Sequence, residues 1–311
     1  MHRTGYLSLL LLAAACSSDA DGGSSTNARG NDGTEPPPDT TGEATGPGGA
    51  SGATGASSKP GIDHLLVTGQ SNSVGFAAAP ALTTTQPATS LMFDTGVITA
   101  RRCDDDGCSE YAKPGKLVPL VEGDTYFDYP VETVASGFAN GAQKLVGPPR
   151  QLLVSIHGRS GNSYACLRKG GCDFYGGRGY VGAFDEALSQ VADAKALAAS
   201  QGVDYAVRAV AVIHGESDHY APPFPLDGTD GAPQAIKTYA DALVEWQRDY
   251  DAAIRAATGQ SSPVVMLVSQ MSNWNDRSES EIPGRQLEAH VRASRKVVLI
   301  GPTYMLSLIH I

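Results

Sequence analysis

Five short apolar runs set the main constraint on this chain: residues 65–68, 152–156, 207–213, 264–268 and 297–300 each read as a buried strand of a few residues. Between them the pattern changes period. Phe184, Leu188, Val191 and Ala194 fall at helical spacing, and Tyr239, Leu243, Trp246, Tyr250 and Ala253 make a cleaner stripe of the same kind. Strands that alternate with helices connect through right-handed crossovers, so the expected architecture is α/β: a parallel sheet in the middle of a three-layer α/β/α sandwich. Trp246 and Tyr250 are then core residues. Residues 76–130 are turn-rich and read as one long excursion from the sheet, of the kind that shapes a cleft or merely decorates an edge.

The remaining sequence supports a folded domain on a leash. The chain opens MHRTGYLSLLLLAAAC, with a short basic start, an apolar run at 7–12 and small residues before Cys16. This reads as a secretory signal, too short for a permanent membrane span. Its AAAC end resembles a bacterial lipoprotein cleavage box, which implies lipidation of Cys16 and a membrane anchor in the cell envelope; simple secretion is the alternative. Residues 17–60 are Gly, Ser, Thr, Asp, Glu and Pro with almost nothing apolar, and cannot bury enough surface to offset ordering entropy. They read as a disordered tether leading to a domain over 61–311. A formal net charge of −10, with no basic run, excludes a nucleic-acid partner.

Four further cysteines form two close pairs, Cys103 with Cys108 and Cys166 with Cys172. In an exported protein the expectation is two local disulfides, each worth roughly 2 kcal/mol. A four-cysteine zinc site is the rival, but neither pair has the C-x2-C spacing of structural zinc.

Three of the five strands run into unusual polar clusters: GQSN at 69–72, HGRSGNSY at 157–164 and HGESD at 214–218. Parallel strands place their carboxyl ends on one edge of the sheet, where ligand crevices form, so the clusters are expected to converge there. A core has no use for such residues. Acyl transfer does: a serine hydroxyl attacks, a base takes its proton, and preorganised donors meet the oxyanion. Ser71 suits the nucleophile, with its own N–H and that of Gly158 as donors. The capping role that Ser71 and Asn72 could play for a following helix is the bland alternative. No G-x-S-x-G elbow surrounds any serine, which disfavours the α/β-hydrolase arrangement.

On these three blocks the chain resembles the SGNH hydrolases, and within them the sialate O-acetylesterase-like carbohydrate esterases, from about residue 61 to 306. The resemblance implies a flavodoxin-like sheet and a cofactor-free serine esterase acting on an acetylated carbohydrate. It implies Ser71 as nucleophile, Gly158 as oxyanion glycine with Gly161 as the alternative, and Ser217 as the third donor. Two departures stand out: the superfamily places asparagine where this chain has Ser217, and the branch places glutamine where it has His214. Gln70, Asn72, Arg159, His214, Glu216 and Asp218 are expected to support the site or touch substrate. Glu216 and Asp218 would order its hydrogen bonds, while Arg159 and Asn162 would contact a sugar or lie on a surface loop. His157, His214 and His219 are spaced like metal ligands, but no cysteine or carboxylate pattern completes a site.

The superfamily's base is a histidine in a D-x-x-H block after the last strand. This chain reads VVLIGPTYMLSLIHI there, with no Asp near His310. The expectation is therefore that the block lies beyond this sequence and that SLIHI is not native. A non-catalytic carbohydrate-binding or interaction domain on the same fold is the second class left open.

Overall fold

The computed structural model describes residues 59–85, 89–99, 111–124, 126, 129–146, 148–171, 182–271 and 280–302, all within the unit Ala53–Ile311. Expectations for the leader with Cys16, for the tether through residue 58, and for Cys103, Cys108, Cys172 and His310 fall outside these residues.

Among the described residues seven strands form one sheet: β1 (Gly61–Gly69), β2 (Ser90–Phe93), β3 (Leu117–Pro119), β4 (Arg150–Ile156), β5 (Asp204–Ile213), β6 (Val265–Gln270) and β7 (Val297–Pro302). Their order is β3-β2-β4-β1-β5-β6-β7, and every neighbouring pair is parallel except β2 with β3. The five runs read from sequence are β1, β4, β5, β6 and β7, so counted among themselves they lie in the order 2-1-3-4-5. This is the doubly wound, flavodoxin-like arrangement, and its chain reversal falls where β1 lies beside β5.

One expectation needs correction. Residues 76–130 do not stay away from the sheet: they return as β2, which pairs with β4 through Ser90↔Leu152 and Leu91↔Leu153, and as β3, which runs antiparallel along the edge. Strands of four and three residues between turns are too short to show a period of two.

The helices are α1 (Ala135–Val146), α2 (Tyr164–Leu167), α3 (Ala183–Ser200), α4 (Glu216–Tyr220), α5 (Tyr239–Thr258) and α6 (Ile282–Arg292). Strand residues alternate between the two faces they cover. Leu66, Val210, Val212, Met266 and Val268 pack with α3, α5 and α6, where Phe184, Trp246 and Tyr250 are buried. Val67, Ala211, Val154 and Ile156 pack on the other face with Ala135 and Ala139 of α1 and with Val97, Ile98, Leu120 and Val131. Three layers result, with continuous apolar strands between them as a sheet buried on both faces demands.

The amino-terminal edge is held electrostatically. Asp63 of β1 accepts from Arg150 Nε at 2.7 Å, Arg150 Nη2 at 2.6 Å and Arg208 Nε at 2.6 Å. Among the described residues no helix is long and apolar enough to cross a membrane.

Candidate active site

At the other edge the three polar clusters meet. Gly69 ends β1 with φ +136°, and a Cβ there would lie 2.0 Å from the Ile213 carbonyl of β5, so only glycine allows the chain to leave the sheet this close to its neighbour. Gln70 N–H donates to that same carbonyl at 3.1 Å, and Ser71–Val74 then turn as a single stretch of 3-10 helix. Ser71 is half-buried and opens that turn. Among the described residues its hydroxyl has no hydrogen-bond partner.

The second cluster lies directly against this turn. His157 N–H donates to Val67 O and Arg159 N–H to Gly69 O, both at 2.9 Å. Between these paired amides, the Gly158 N–H has no partner among the described residues. A Cβ on Gly158 would meet Ser73 Oγ at 2.1 Å and Gly69 O at 2.9 Å, so close packing of the first two clusters requires glycine at 158. Nothing approaches Gly161 in this way.

The third cluster holds the first through side chains. Gln70, buried at the crossing, donates from Nε2 to Glu216 Oε2 at 2.7 Å and accepts from the Ser217 N–H at 2.8 Å. Glu216 Oε1 takes a second bond from Asn72 Nδ2 at 3.2 Å. Glu216 thus grips both residues that flank Ser71. With the Ser217 amide committed to Gln70, only the Ser217 hydroxyl is left as an oxyanion donor from that residue.

Beneath this layer the cluster residues are tied into the core. His214 meets Tyr239 OH through Nδ1 at 2.7 Å and the Asn162 carbonyl through Nε2 at 3.0 Å, which makes Nε2 the protonated nitrogen, since a carbonyl can only accept. Asp218 is buried, accepts from the Tyr164 N–H at 2.9 Å and lies 3.4 Å from His214 Nε2. Burial pushes its carboxyl above the ordinary carboxylate range, against the opposing pull of His214 and the Tyr164 amide. It therefore joins the second and third clusters. Gln286 of α6 completes the support by donating to His214 O at 3.0 Å and accepting from Met271 N at 2.7 Å.

Arg159 and Asn162 do not match the surface or sugar-contact roles expected of them. Arg159 is 4% exposed, with its guanidinium ion-paired to Glu186 of α3. Asn162 is equally buried and donates to Ser160 O at 3.0 Å. Charged side chains are rarely buried unless paired, and the partner here comes from a helix that nothing in the motif announces. Glu186, Ser73, Gln190 and Gln286 were not legible as site residues. The available signal was Glu186 with Gln190, two polar residues spaced i, i+4 on the buried face of α3.

The histidine rings are largely occupied. His157 is buried against Tyr250 OH at 2.8 Å, and burial, with Arg159 nearby, lowers its pKa to about 3. His64 bonds Tyr205 and Ser155, and His290 bonds the Val297 carbonyl. His219 Nε2 is buried without a hydrogen-bond partner among the described residues. None of these rings, nor that of His214, hydrogen-bonds Ser71. Among the described residues no group of three or more His, Cys, Asp or Glu is arranged to hold a metal. Cys166 in α2 is disulfide-bonded.

The fold and the edge on which the clusters meet define an open, doubly wound α/β protein whose polar strand-end clusters gather at its chain reversal. No family model and no curated protein matches the sequence. Among solved structures the chain is similar to NanS, with 13% identity, 78% of each chain covered and a TM-score of 0.47. It is also similar to XAC1771, a carbohydrate acetylesterase from Xanthomonas citri, with 14% identity and a TM-score of 0.42. That match covers 77% of this chain and about half, 49%, of the other.

Proposed function

We propose that this protein is a serine esterase that removes O-acetyl groups from a carbohydrate. The observation that carries the reading is that, among the described residues, neither the Ser71 hydroxyl nor the Gly158 amide has a partner, while their two turns pack against each other and Glu216 fixes the residues on both sides of the serine. In the proposed reaction Ser71 Oγ attacks the acetyl carbonyl and loses its proton to a base. In this scheme the oxyanion is met by the Ser71 and Gly158 amides, with the Ser217 hydroxyl as the third donor. The sugar hydroxyl leaves with a proton, and water then cleaves the acetyl-serine to acetate and free enzyme. The base in this scheme is an imidazole from outside the described residues. Resemblance of the three blocks to carbohydrate esterases supports the choice of substrate. The leader supports export and attachment through Cys16.

The test is Ser71→Ala, assayed by acetate release from an O-acetylated sugar and from 4-nitrophenyl acetate. Turnover by the parent and none by the variant, at equal thermal stability, is the expected result. Equal rates in both would exclude Ser71. Sugar binding without turnover by the parent would favour a carbohydrate-binding domain.

A further inference from the structure

The Gly158 amide N–H shares a peptide plane with the His157 carbonyl, and a trans peptide points these groups in opposite directions. Whatever fixes the carbonyl therefore aims the N–H. Arg159 Nη1 donates to the His157 carbonyl at 3.2 Å and to the Gly158 carbonyl at 3.0 Å, so one guanidinium holds the peptides on both sides of the Gly158 Cα. The guanidinium is itself fixed by its ion pair with Glu186, the two side chains being only 5% and 1% exposed.

Glu186 does not stand alone on α3. The Thr99 hydroxyl donates to Glu186 Oε1, and Gln190 Nε2 donates to Thr99 Oγ1 at 2.7 Å and to the Ile156 carbonyl at 3.2 Å. Ser155 Oγ donates to Gln190 Oε1 at 2.7 Å and meets His64 Nε2 at 2.8 Å. A buried polar chain thus runs from β1 and the end of β4, through α3, to the underside of the Gly158 turn. Stability alone is a weak reason for such a chain, because well-packed apolar residues commonly serve as well as a buried ion pair. Charge-assisted bonds from one guanidinium nitrogen to two consecutive carbonyls are something apolar residues cannot supply. Donation to a carbonyl also polarises its peptide and makes the attached N–H a stronger donor.

We infer that Arg159 and Glu186 are positioning residues that aim and polarise the Gly158 N–H as an oxyanion donor. This rests on the esterase reading for its consequence in rate, and on geometry alone for its effect on the peptide. An oxyanion is bound only in the transition state, so loosening the donor lowers kcat and leaves KM in place.

The experiment compares the full chain with Glu186→Gln and Arg159→Lys in two measurements. One follows the Gly158 amide resonance in 15N-labelled protein; the other follows kcat and KM for 4-nitrophenyl acetate. The expected result is folded variants with a displaced Gly158 resonance, KM within about twofold, and kcat down by about 10- to 100-fold, below the ~10²–10³ that loss of a whole donor costs. Folded variants with parental kcat and an unmoved resonance would overturn the inference. So would a rise in KM that accounts for the loss, or failure of both variants to fold, since the pair would then serve the core. If the parent shows no Ser71-dependent turnover, the esterase reading fails and the oxyanion role fails with it; the Gly158 resonance still decides whether the pair sets that peptide.

Discussion

Gln70 and Ser217, 147 residues apart in the chain, are joined by a 2.8 Å hydrogen bond from the Ser217 amide to the Gln70 side-chain oxygen. The other end of the same side chain donates to Glu216. One buried amide therefore holds the end of β1 and the start of α4 at a fixed separation, and Ser71 is the next residue along. A glutamine does this because it carries a donor and an acceptor on one rigid plane.

Removing that plane should be costly in both fold and activity. Gln70→Ala leaves the Ser217 amide and the Glu216 carboxylate each short of a partner, a loss of about 1–3 kcal/mol. Gln70→Glu keeps an acceptor for Ser217 but sets a second carboxylate against Glu216, and should be the more destabilising of the two at neutral pH. Urea unfolding ranks the variants. A glutamate variant as stable as the parent would mean that Gln70 does not bridge the clusters.

The contact between Gly158 and Ser73 makes a second case. Gly158→Ala places a methyl 2.1 Å from Ser73 Oγ, which must move and give up its 2.6 Å bond to the Gln70 carbonyl. Overpacking of this kind costs about 1–3 kcal/mol. In a Gly158→Ala, Ser73→Gly double variant the hydroxyl is gone, so the losses should add to less than their sum. Strict additivity in denaturant midpoints would show that the two residues do not touch.

The sheet and the edge where its polar clusters gather were legible because each rests on a local signal. Short runs rich in β-branched residues and bounded by turn residues read as buried strands, and the polar breaks at 69–72, 157–164 and 214–218 sit at the carboxyl ends of three of them. The connections between the breaks were not legible. That Gln70 reaches both Glu216 and Ser217 depends on strand order, which no periodicity encodes. Arg159 looked like a residue for solvent or substrate because arginine usually is one. Its burial depends on Glu186, contributed by α3 after a further turn of the fold. Edge strands β2 and β3 escaped for a simpler reason, their length.

A change at the opposite edge should separate stability from function. Asp63 carries two arginines at the amino ends of the strands, and its side chain is 4% exposed beside Arg150 at 8%. Asp63→Ala leaves the Arg150 charge buried without this partner, at a cost of about 3–5 kcal/mol. Acetyl ester turnover by the folded fraction should match the parent, because no strand-end cluster includes residue 63. A drop in kcat at temperatures where the variant is fully folded would contradict this division between the edges.

Acid should weaken the fold through two core histidines, and the sign follows from their burial. His64 and His157 each have a pKa lowered to about 3 from an ordinary 6.5, in both cases mainly by desolvation. The folded protein therefore keeps both rings neutral while the unfolded chain takes up protons below pH 6.5. Their contribution is fully present above that value and is lost as pH falls toward about 3. Each ring should remove about 2 kcal/mol between pH 7.5 and pH 5, the slope steepening toward about 1.4 kcal/mol per pH unit below pH 6.5. His64→Gln loses stability at pH 7, where the bonds to Tyr205 and Ser155 are disturbed, but it should also flatten the pH dependence by one proton. Urea unfolding of parent and variant at half-unit steps from pH 7.5 to pH 5 reads this difference directly. Parallel curves would mean that His64 is already charged in the folded protein, or that the unfolded chain does not protonate it, and either result would remove it from the acid response.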